Sequence, residues 1–216
     1  MIESEFQAEP SPTPEFPWPP REDESVLTAL ATTWQESVLH PTGFFRRLPR
    51  DFDFGWVLGY SLIVGVVAAG IGLFWGMVLG PSLMERLWPD NALQPANPIV
   101  DFLLSPLFML MGLFIGAAVI HLFLLVLRGA GHGFGTTLRV FCFSAGPFLF
   151  EVIPFLGSPI GGIWSLVMTV IGLREAHETS TGKAVAAVLI PMFFMLLLAV
   201  LLFIAAAVVG LDRAVR

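Results

Sequence analysis

Charged residues are scarce in this chain. They make up 13% of its 216 residues, whereas soluble globular domains contain about 25%. Hydrophobic residues make up 56%, so a water-soluble fold of this composition would expose a large apolar surface. These proportions exclude an ordinary soluble domain and predict an all-α polytopic membrane protein whose main surroundings are lipid. We expect no nucleic-acid partner. The formal net charge of −6 arises from the first 24 residues and does not describe the membrane domain, where acidic and basic residues balance.

Cysteine is almost absent. Cys142 is the only one, so the sequence has neither a disulfide framework nor a zinc cluster. The four histidines are scattered and form no H-E-x-x-H spacing. The sequence also lacks a nucleophile elbow, a Walker lysine motif and a dinucleotide glycine fingerprint. We therefore predict a protein that is not an enzyme, with no catalytic residues, no cofactor and no metal site.

Long apolar stretches are what the chain does contain. Three of them are long enough to cross a hydrocarbon core of about 30 Å as helices. They comprise residues 55–80, 99–127 and 184–210. Glycine pairs such as Gly112-x-x-x-Gly116 place two small residues on one helix face, which favours close packing between helices. Packing within one bundle is the favoured interpretation, and a seam in a homo-oligomer is the alternative.

The stretch from residue 140 to residue 173 is interrupted by Glu151 and by several Pro and Gly residues. A single helix over it would be about 51 Å long, far more than a bilayer requires. We therefore predict two short spans joined by a turn at Glu151–Pro159, because Pro and Gly break helices. The predicted membrane domain, residues 55–211, then has five transmembrane helices. A re-entrant hairpin, which would give four spans, is the alternative.

The basic residues support five spans. Loops that should share one side carry most of them, and the intervening loops carry Arg86 or none. The positive-inside rule then predicts a cytoplasmic N-terminus and an external C-terminus. Arg213 and Arg216 argue mildly against the external C-terminus. The basic residues of the predicted cytoplasmic loops are Arg46, Arg47, Arg50, Arg128, Arg139, Arg174 and Lys183.

The first 24 residues differ from the rest, since they contain six prolines and seven acidic residues. Proline removes backbone donors and the acids repel one another, so residues 1–24 are predicted to form a disordered cytoplasmic tail. A partner-binding motif around Phe16 and Trp18 is one interpretation, because extended Pro-rich segments bind aromatic grooves. A solvated tail without a partner is the other.

Residues 25–54 have helical periodicity followed by aromatic and basic residues. Apolar residues recur at spacings of three and four between Ser25, a helix cap, and Pro41, a helix stop. We predict an amphipathic helix and a basic linker at the membrane interface, with rings at the boundary and guanidinium groups toward lipid phosphate. A small soluble helix packed on the membrane domain is the alternative. The candidate interfacial anchors are Trp34, Phe44, Phe45, Arg46 and Arg47.

Three ionisable residues lie in or beside the predicted spans, where such groups are functional candidates. His121 falls inside the second span, and Asp101 and Glu151 fall near the outer boundary. A histidine between two carboxylates could relay protons or hold a cation, which would suit a small transporter with broken helices. The simpler interpretation is a neutral histidine bonded to a neighbouring helix and two acids in headgroup water.

Two stretches, by their order and spacing, and the overall layout of five helices resemble bacterial members of the Yip1 domain family. The first is TWQESVLHPTGFFRRLP, and the second is FCFSAGPFLFEVIPFLGSPIGGIWSLVMTVIGLREAHETSTGKAVAAVLIP. The resemblance covers residues 33–210. It implies a polytopic membrane protein with a cytoplasmic N-terminus, here in a bacterial inner membrane with a periplasmic C-terminus. Eukaryotic relatives associate with small GTPases, but their Asp-Leu-Tyr-Gly-Pro stretch is missing here.

Two functions are compatible with these observations. The leading hypothesis is a non-enzymatic membrane protein that organises the bilayer or recruits partners. Its partners would be lipid and a membrane or cytoplasmic protein bound through the N-terminal tail. The alternative is a small transporter or channel that uses His121 and Glu151.

Overall fold

The computed structural model describes residues 15–50, 53–87 and 97–215. Within these ranges the chain is helical and contains no strand. The seven α-helices are α1 (Val26–Leu39), α2 (Pro41–Arg46), α3 (Phe54–Leu87), α4 (Pro98–Val126), α5 (Gly133–Phe143), α6 (Gly157–Ala176) and α7 (Thr181–Val215), and a 3-10 helix (Gly146–Val152) lies between α5 and α6.

Three helices are long and apolar enough to cross a membrane. Their apolar segments are Phe54–Leu79 of α3, Pro98–Val126 of α4 and Thr181–Ala205 of α7. They contain the three uninterrupted stretches predicted from the sequence. Helix α3 continues through Pro81 to Leu87, where the sequence predicted a loop from residue 81. The rest of that loop, residues 88–96, lies outside the described residues.

The interrupted middle stretch folds as an antiparallel hairpin. Helix α5 and the 3-10 helix form one arm, and α6 forms the other. The predicted turn is confirmed, because the four residues between Val152 and Gly157 reverse the chain. The count of five membrane-spanning helices is not confirmed, since α5 has only 11 residues and α6 is not among the three long apolar helices.

Two glycines bring the hairpin arms together. A Cβ at Gly161 would lie 2.5 Å from the carbonyl oxygen of Pro147, and one at Gly157 would overlap the carbonyl oxygen of Phe150. Neither position is open to a residue with a side chain, so both glycines are required for this close approach. The arms are further joined by the Ser165 hydroxyl, which donates to the carbonyl oxygen of Ser144 over 2.7 Å.

The packed core lies at one end of the long helices. It contains the first turns of α3, the last turns of α4 and the beginning of α7. At the other end α7 leaves the bundle, and every described residue of α7 from Met192 to Ala205 is exposed. Apolar residues exposed on all sides of a helix are stable in hydrocarbon and not in water. The exposed part of α7 therefore fits a lipid environment.

The N-terminal segment, residues 15–50, covers this packed end. The cap at Ser25 is confirmed, because its side chain accepts a 3.1 Å bond from the Thr28 amide, and α1 ends before Pro41 as predicted. Trp18 belongs to the stretch predicted to be a disordered tail, but it is 1% exposed and packs on Trp56 and Tyr60. Residues 15–24 thus include a docked anchor, while residues 1–14 of the predicted tail lie outside the described residues.

Candidate functional site

Three histidines meet at the packed end of the bundle. They come from three places in the chain: His121 from α4, His132 from the loop before α5, and His177 from the end of α6. Thr137 of α5 joins them, since its hydroxyl oxygen lies 2.9 Å from His121 Nδ1 and 2.9 Å from His177 Nε2. This histidine cluster connects α4, α5 and α6 to one another.

The hydrogen bonds fix the tautomer of His177. Its Nδ1 accepts a 3.2 Å bond from the backbone amide of His132, so the ring proton must be on Nε2. Nε2–H then donates to the Thr137 hydroxyl, whose oxygen also lies within hydrogen-bonding distance of His121 Nδ1. A second proton on His177 would destroy the bond at Nδ1, so the arrangement requires a neutral ring.

Burial supports the same protonation state. His177 is 2% exposed, and this burial, with smaller contributions from His121 and His132, lowers its pKa to about 4. At neutral pH the ring is uncharged, and its two hydrogen bonds link the end of α6 to His132 and to Thr137 of α5. In the described part of the chain, no grouping of His, Cys, Asp or Glu side chains is placed to hold a metal ion.

Around the histidine cluster, the loops that carry the basic residues are joined by ion pairs and hydrogen bonds. Arg46 donates to Glu175 over 3.1 Å, and Arg50 donates to Glu178 over 2.6 Å. Lys183 Nζ donates to the carbonyl oxygen of Arg128 over 2.9 Å. The three loops that the charge pattern predicted to share one side therefore lie together. Arg139 is the exception to the predicted loops, because it lies within α5, 5.0 Å from the ring centroid of Phe54.

The three candidate polar residues do not form one site. Asp101 is in the first turn of α4, 20 residues from His121, which corresponds to about 30 Å along the helix. Glu151 lies at the far end of the hairpin, where it accepts a hydrogen bond from Ser158 and faces Gly72 of α3. The described residues therefore do not bring a histidine between two carboxylates; His121 instead contacts Thr137 of the neighbouring helix α5, as in the simpler interpretation.

The predicted interfacial anchors divide into inward and outward groups. Phe44 and Phe45 are 0% and 1% exposed, so their rings contact protein where the sequence predicted lipid. Trp34 also faces inward, and its indole N–H donates to the carbonyl oxygen of Gly146 over 2.9 Å. Arg46 keeps an exposed side chain while binding Glu175, and Arg47 binds Glu36 of α1.

Residues 36–204, from the last turn of α1 to the exposed part of α7, match the Yip1 domain. The chain belongs to the Yip1 domain family. No curated protein and no solved structure matches it. The Yip1 domain therefore contains the histidine cluster, the hairpin and all three long apolar helices, whereas the Trp18 anchor precedes it.

The sequence analysis did not select His132 and His177 of this Yip1 domain as site residues, although the sequence indicates on which side of the membrane they lie. His132 and His177 both fall in loops that the positive-inside pattern assigns to one side, and His121 is near the end of a span that leads to that side. Their common side could thus be inferred from the charge pattern. Their direct contact could not, because it depends on Thr137 and on the angle at which α5 crosses α4.

Proposed function

We propose that this Yip1 domain protein is a non-enzymatic membrane protein whose cytoplasmic face recruits partners through the segment before the domain. The observation that carries the proposal is the docking of Phe16 and Trp18. Phe16 packs 4.8 Å from Phe44, and Trp18 packs 5.8 Å from Tyr60. The acidic, Pro-containing residues 1–14 are joined directly to this anchor. Docking of Phe16 and Trp18 therefore fixes the point on the protein to which the proposed partner-binding segment is joined.

The proposal includes a topology of five crossings with a cytoplasmic N-terminus in a bacterial inner membrane. Glu151 lies level with Gly72, which is about 27 Å along α3 from Phe54. A hairpin of this depth nearly matches a hydrocarbon core of about 30 Å. Helix α5 and the 3-10 helix would together form the third crossing, α6 the fourth, and α7 the fifth with an external C-terminus.

Helix α1 would also touch the lipid headgroups. Leu27 is 77% exposed and Val26 is 48% exposed at the start of α1, whereas Trp34, two turns further along the helix, is bound to the hairpin. An exposed apolar edge beside a membrane domain is typical of an interfacial helix. Trp34 fixes the second half of α1 to the bundle, and Leu27 and Val26 at its exposed start would contact the bilayer surface.

Affinity purification from native membranes in mild detergent tests partner recruitment. The full chain is compared with a variant that lacks residues 2–14 but keeps Phe16 and Trp18. We expect a stoichiometric protein partner that is lost from the shortened variant. Co-purifying proteins that are the same for both chains would refute recruitment through this segment. Equal thermal stability of the two chains in detergent would show that the deletion leaves the fold intact.

A further inference from the structure

A cavity of about 480 Å³ lies between α4 and the hairpin. This volume falls within the roughly 300–1,000 Å³ typical of small-molecule binding sites. The cavity is separate from the histidine cluster, since none of the three histidines lines it. The lining residues from α4 are Met109, Gly112, Leu113 and Ile120, and those from the hairpin are Phe141, Ala145, Phe148, Gly162, Ser165, Leu166 and Thr169.

Two glycines keep the cavity open. Gly112 of α4 and Gly162 of α6 both line it, and a Cβ added to either would meet nothing within 4 Å. Gly116, one turn further along α4, behaves differently, because a Cβ there would lie 2.8 Å from the Phe141 ring. The predicted close packing between helices therefore occurs at Gly116, which faces Phe141 of α5. Gly112, the other member of the pair, borders the open cavity instead.

The cavity wall is apolar. No ionisable residue lines it, and its two hydroxyl groups already donate within the protein. Ser165 donates to the Ser144 carbonyl oxygen over 2.7 Å, and Thr169 donates to the Ser165 carbonyl oxygen over 2.8 Å. Water needs two to four polar partners at a buried site. The wall therefore favours an apolar occupant without a charged group.

The position of the cavity identifies the source of that occupant. Gly112 is the midpoint of α4, so the cavity lies near the middle of the bilayer when α4 spans it. The neighbouring outer surface is apolar on both sides, with Phe108 of α4 61% exposed and Ile163 of α6 65% exposed. At this depth the surrounding medium consists of lipid acyl chains, and the cavity is continuous with the surface that they cover.

We propose that the cavity binds one acyl chain of a membrane lipid, which enters between α4 and α6. The site goes beyond partner recruitment, because it lies in the membrane-facing part of the bundle and uses none of the N-terminal segment. The bound chain would fill the space left by Gly112 and Gly162 and contact Leu113 and Phe141. The headgroup would stay outside the cavity, so the chain rather than the headgroup is recognised.

Photocrosslinking in vesicles tests this site. The full-length protein is reconstituted in phosphatidylcholine and phosphatidylglycerol vesicles that contain a trace of phosphatidylcholine with a diazirine in its acyl chain. After illumination, adducts are located by mass spectrometry of peptides. We expect adducts on Leu113, which is 8% exposed and out of reach of bulk lipid, as well as on exposed Phe108. Adducts on Phe108 alone would overturn the proposal.

Cavity-filling variants provide the second measurement. In Gly112→Leu and in Gly162→Leu, adducts on Leu113 should fall about tenfold relative to those on Phe108, because the new side chain displaces at least two methylene groups. Gly76→Leu is the matched control, since Gly76 is also open within 4 Å but lies on α3 away from the cavity. It should leave the adduct ratio unchanged.

Three results would contradict lipid binding. One is an unchanged adduct ratio in both cavity-filling variants. Another is an equal loss in the Gly76→Leu control. The third is capture of a second copy of the protein, instead of lipid, by a photoreactive methionine analogue at Met109. The two cavity-filling substitutions are on different helices, so if one variant does not fold, the other can still be measured. The adduct pattern of the wild-type protein tests the proposal even if neither variant folds.

Discussion

The indole N–H of Trp18 donates a 2.7 Å hydrogen bond to the backbone carbonyl oxygen of Trp56. The bond joins the segment before α1 to the first turn of α3. The Trp18 ring also meets the Trp56 ring edge-on, with centroids 5.9 Å apart. A single side chain thus fixes the start of the described chain to the first membrane helix.

Removal of this side chain should weaken the fold. We expect Trp18→Ala to lower the free energy of unfolding by about 3–5 kcal/mol, the range for large aromatic residues in cores. Reversible denaturant unfolding in detergent micelles measures the change. Leu27→Ala is the control, because Leu27 is 77% exposed and its truncation should change the free energy by less than about 0.5 kcal/mol. Equal effects of the two substitutions would contradict the docked position of Trp18.

Neighbouring glycines of α6 should respond in opposite directions. Gly161→Ala places a Cβ against the Pro147 carbonyl oxygen and should destabilise the protein by about 1–3 kcal/mol. Gly162→Ala enters open space and should stabilise it by up to about 1 kcal/mol through helix propensity. The difference in melting temperature between the two variants measures the effect. Similar melting temperatures would show that the hairpin arms are further apart than in this structure.

The histidine cluster makes stability depend on pH. The unfolded chain binds a proton at His177 with a pKa of about 6.5, whereas the folded chain binds it at about 4. Between these values the unfolded state carries more protons, so the free energy of unfolding rises with pH up to about 6.5 and then stays level. A difference of this size is worth on the order of 3 kcal/mol. Unfolding titrations between pH 4 and pH 7 measure it.

A variant comparison isolates the contribution of His177. The groups around it are His121, His132 and, through His132, Glu178, which lies 3.9 Å from His132 Nε2. His177→Asn keeps an acceptor for the His132 amide and should flatten the pH dependence. His40→Asn changes an exposed histidine and should preserve it. A slope retained in His177→Asn would assign the effect to other groups.

Thiol labelling in sealed vesicles of known orientation tests the five crossings. The native Cys142 is 0% exposed and should give little background. We expect Ser180→Cys, in the loop before α7, to react from the cytoplasmic side and Val152→Cys, at the hairpin end, to react from the other side. Reaction of both from the same side would indicate a re-entrant hairpin and four spans.

Sequence signals located the elements that depend on local chemistry. Ser25 and Pro41 predicted the bounds of α1, because capping and the loss of an amide act within one turn. The breaking residues between Glu151 and Pro159 likewise predicted the reversal of the hairpin. Uninterrupted apolar length predicted the three long helices, since a bilayer imposes a minimum length on any helix that crosses it.

Features that depend on tertiary contact were missed. Phe44 and Phe45, followed by arginines, have the pattern of a membrane anchor, yet the same pattern suits rings that enter a protein core. Composition does not distinguish these two environments, because both are apolar. The sequence also did not predict that the first hairpin arm divides into α5 and a 3-10 helix. In the structure, the 3-10 helix is the part of this arm that closely contacts Gly157 and Gly161 of α6, and such a contact cannot be deduced from helix propensity.

The 3-10 helix from Gly146 to Val152 makes the first hairpin arm longer than the same residues would be as an α-helix. A 3-10 helix rises about 2.0 Å per residue and an α-helix about 1.5 Å, so its seven residues cover about 14 Å instead of about 10 Å. A switch between the two forms would change the reach of the arm by about one-eighth of a bilayer core without any change in sequence. This difference is comparable with the few ångströms by which the hydrocarbon cores of different membranes differ in thickness.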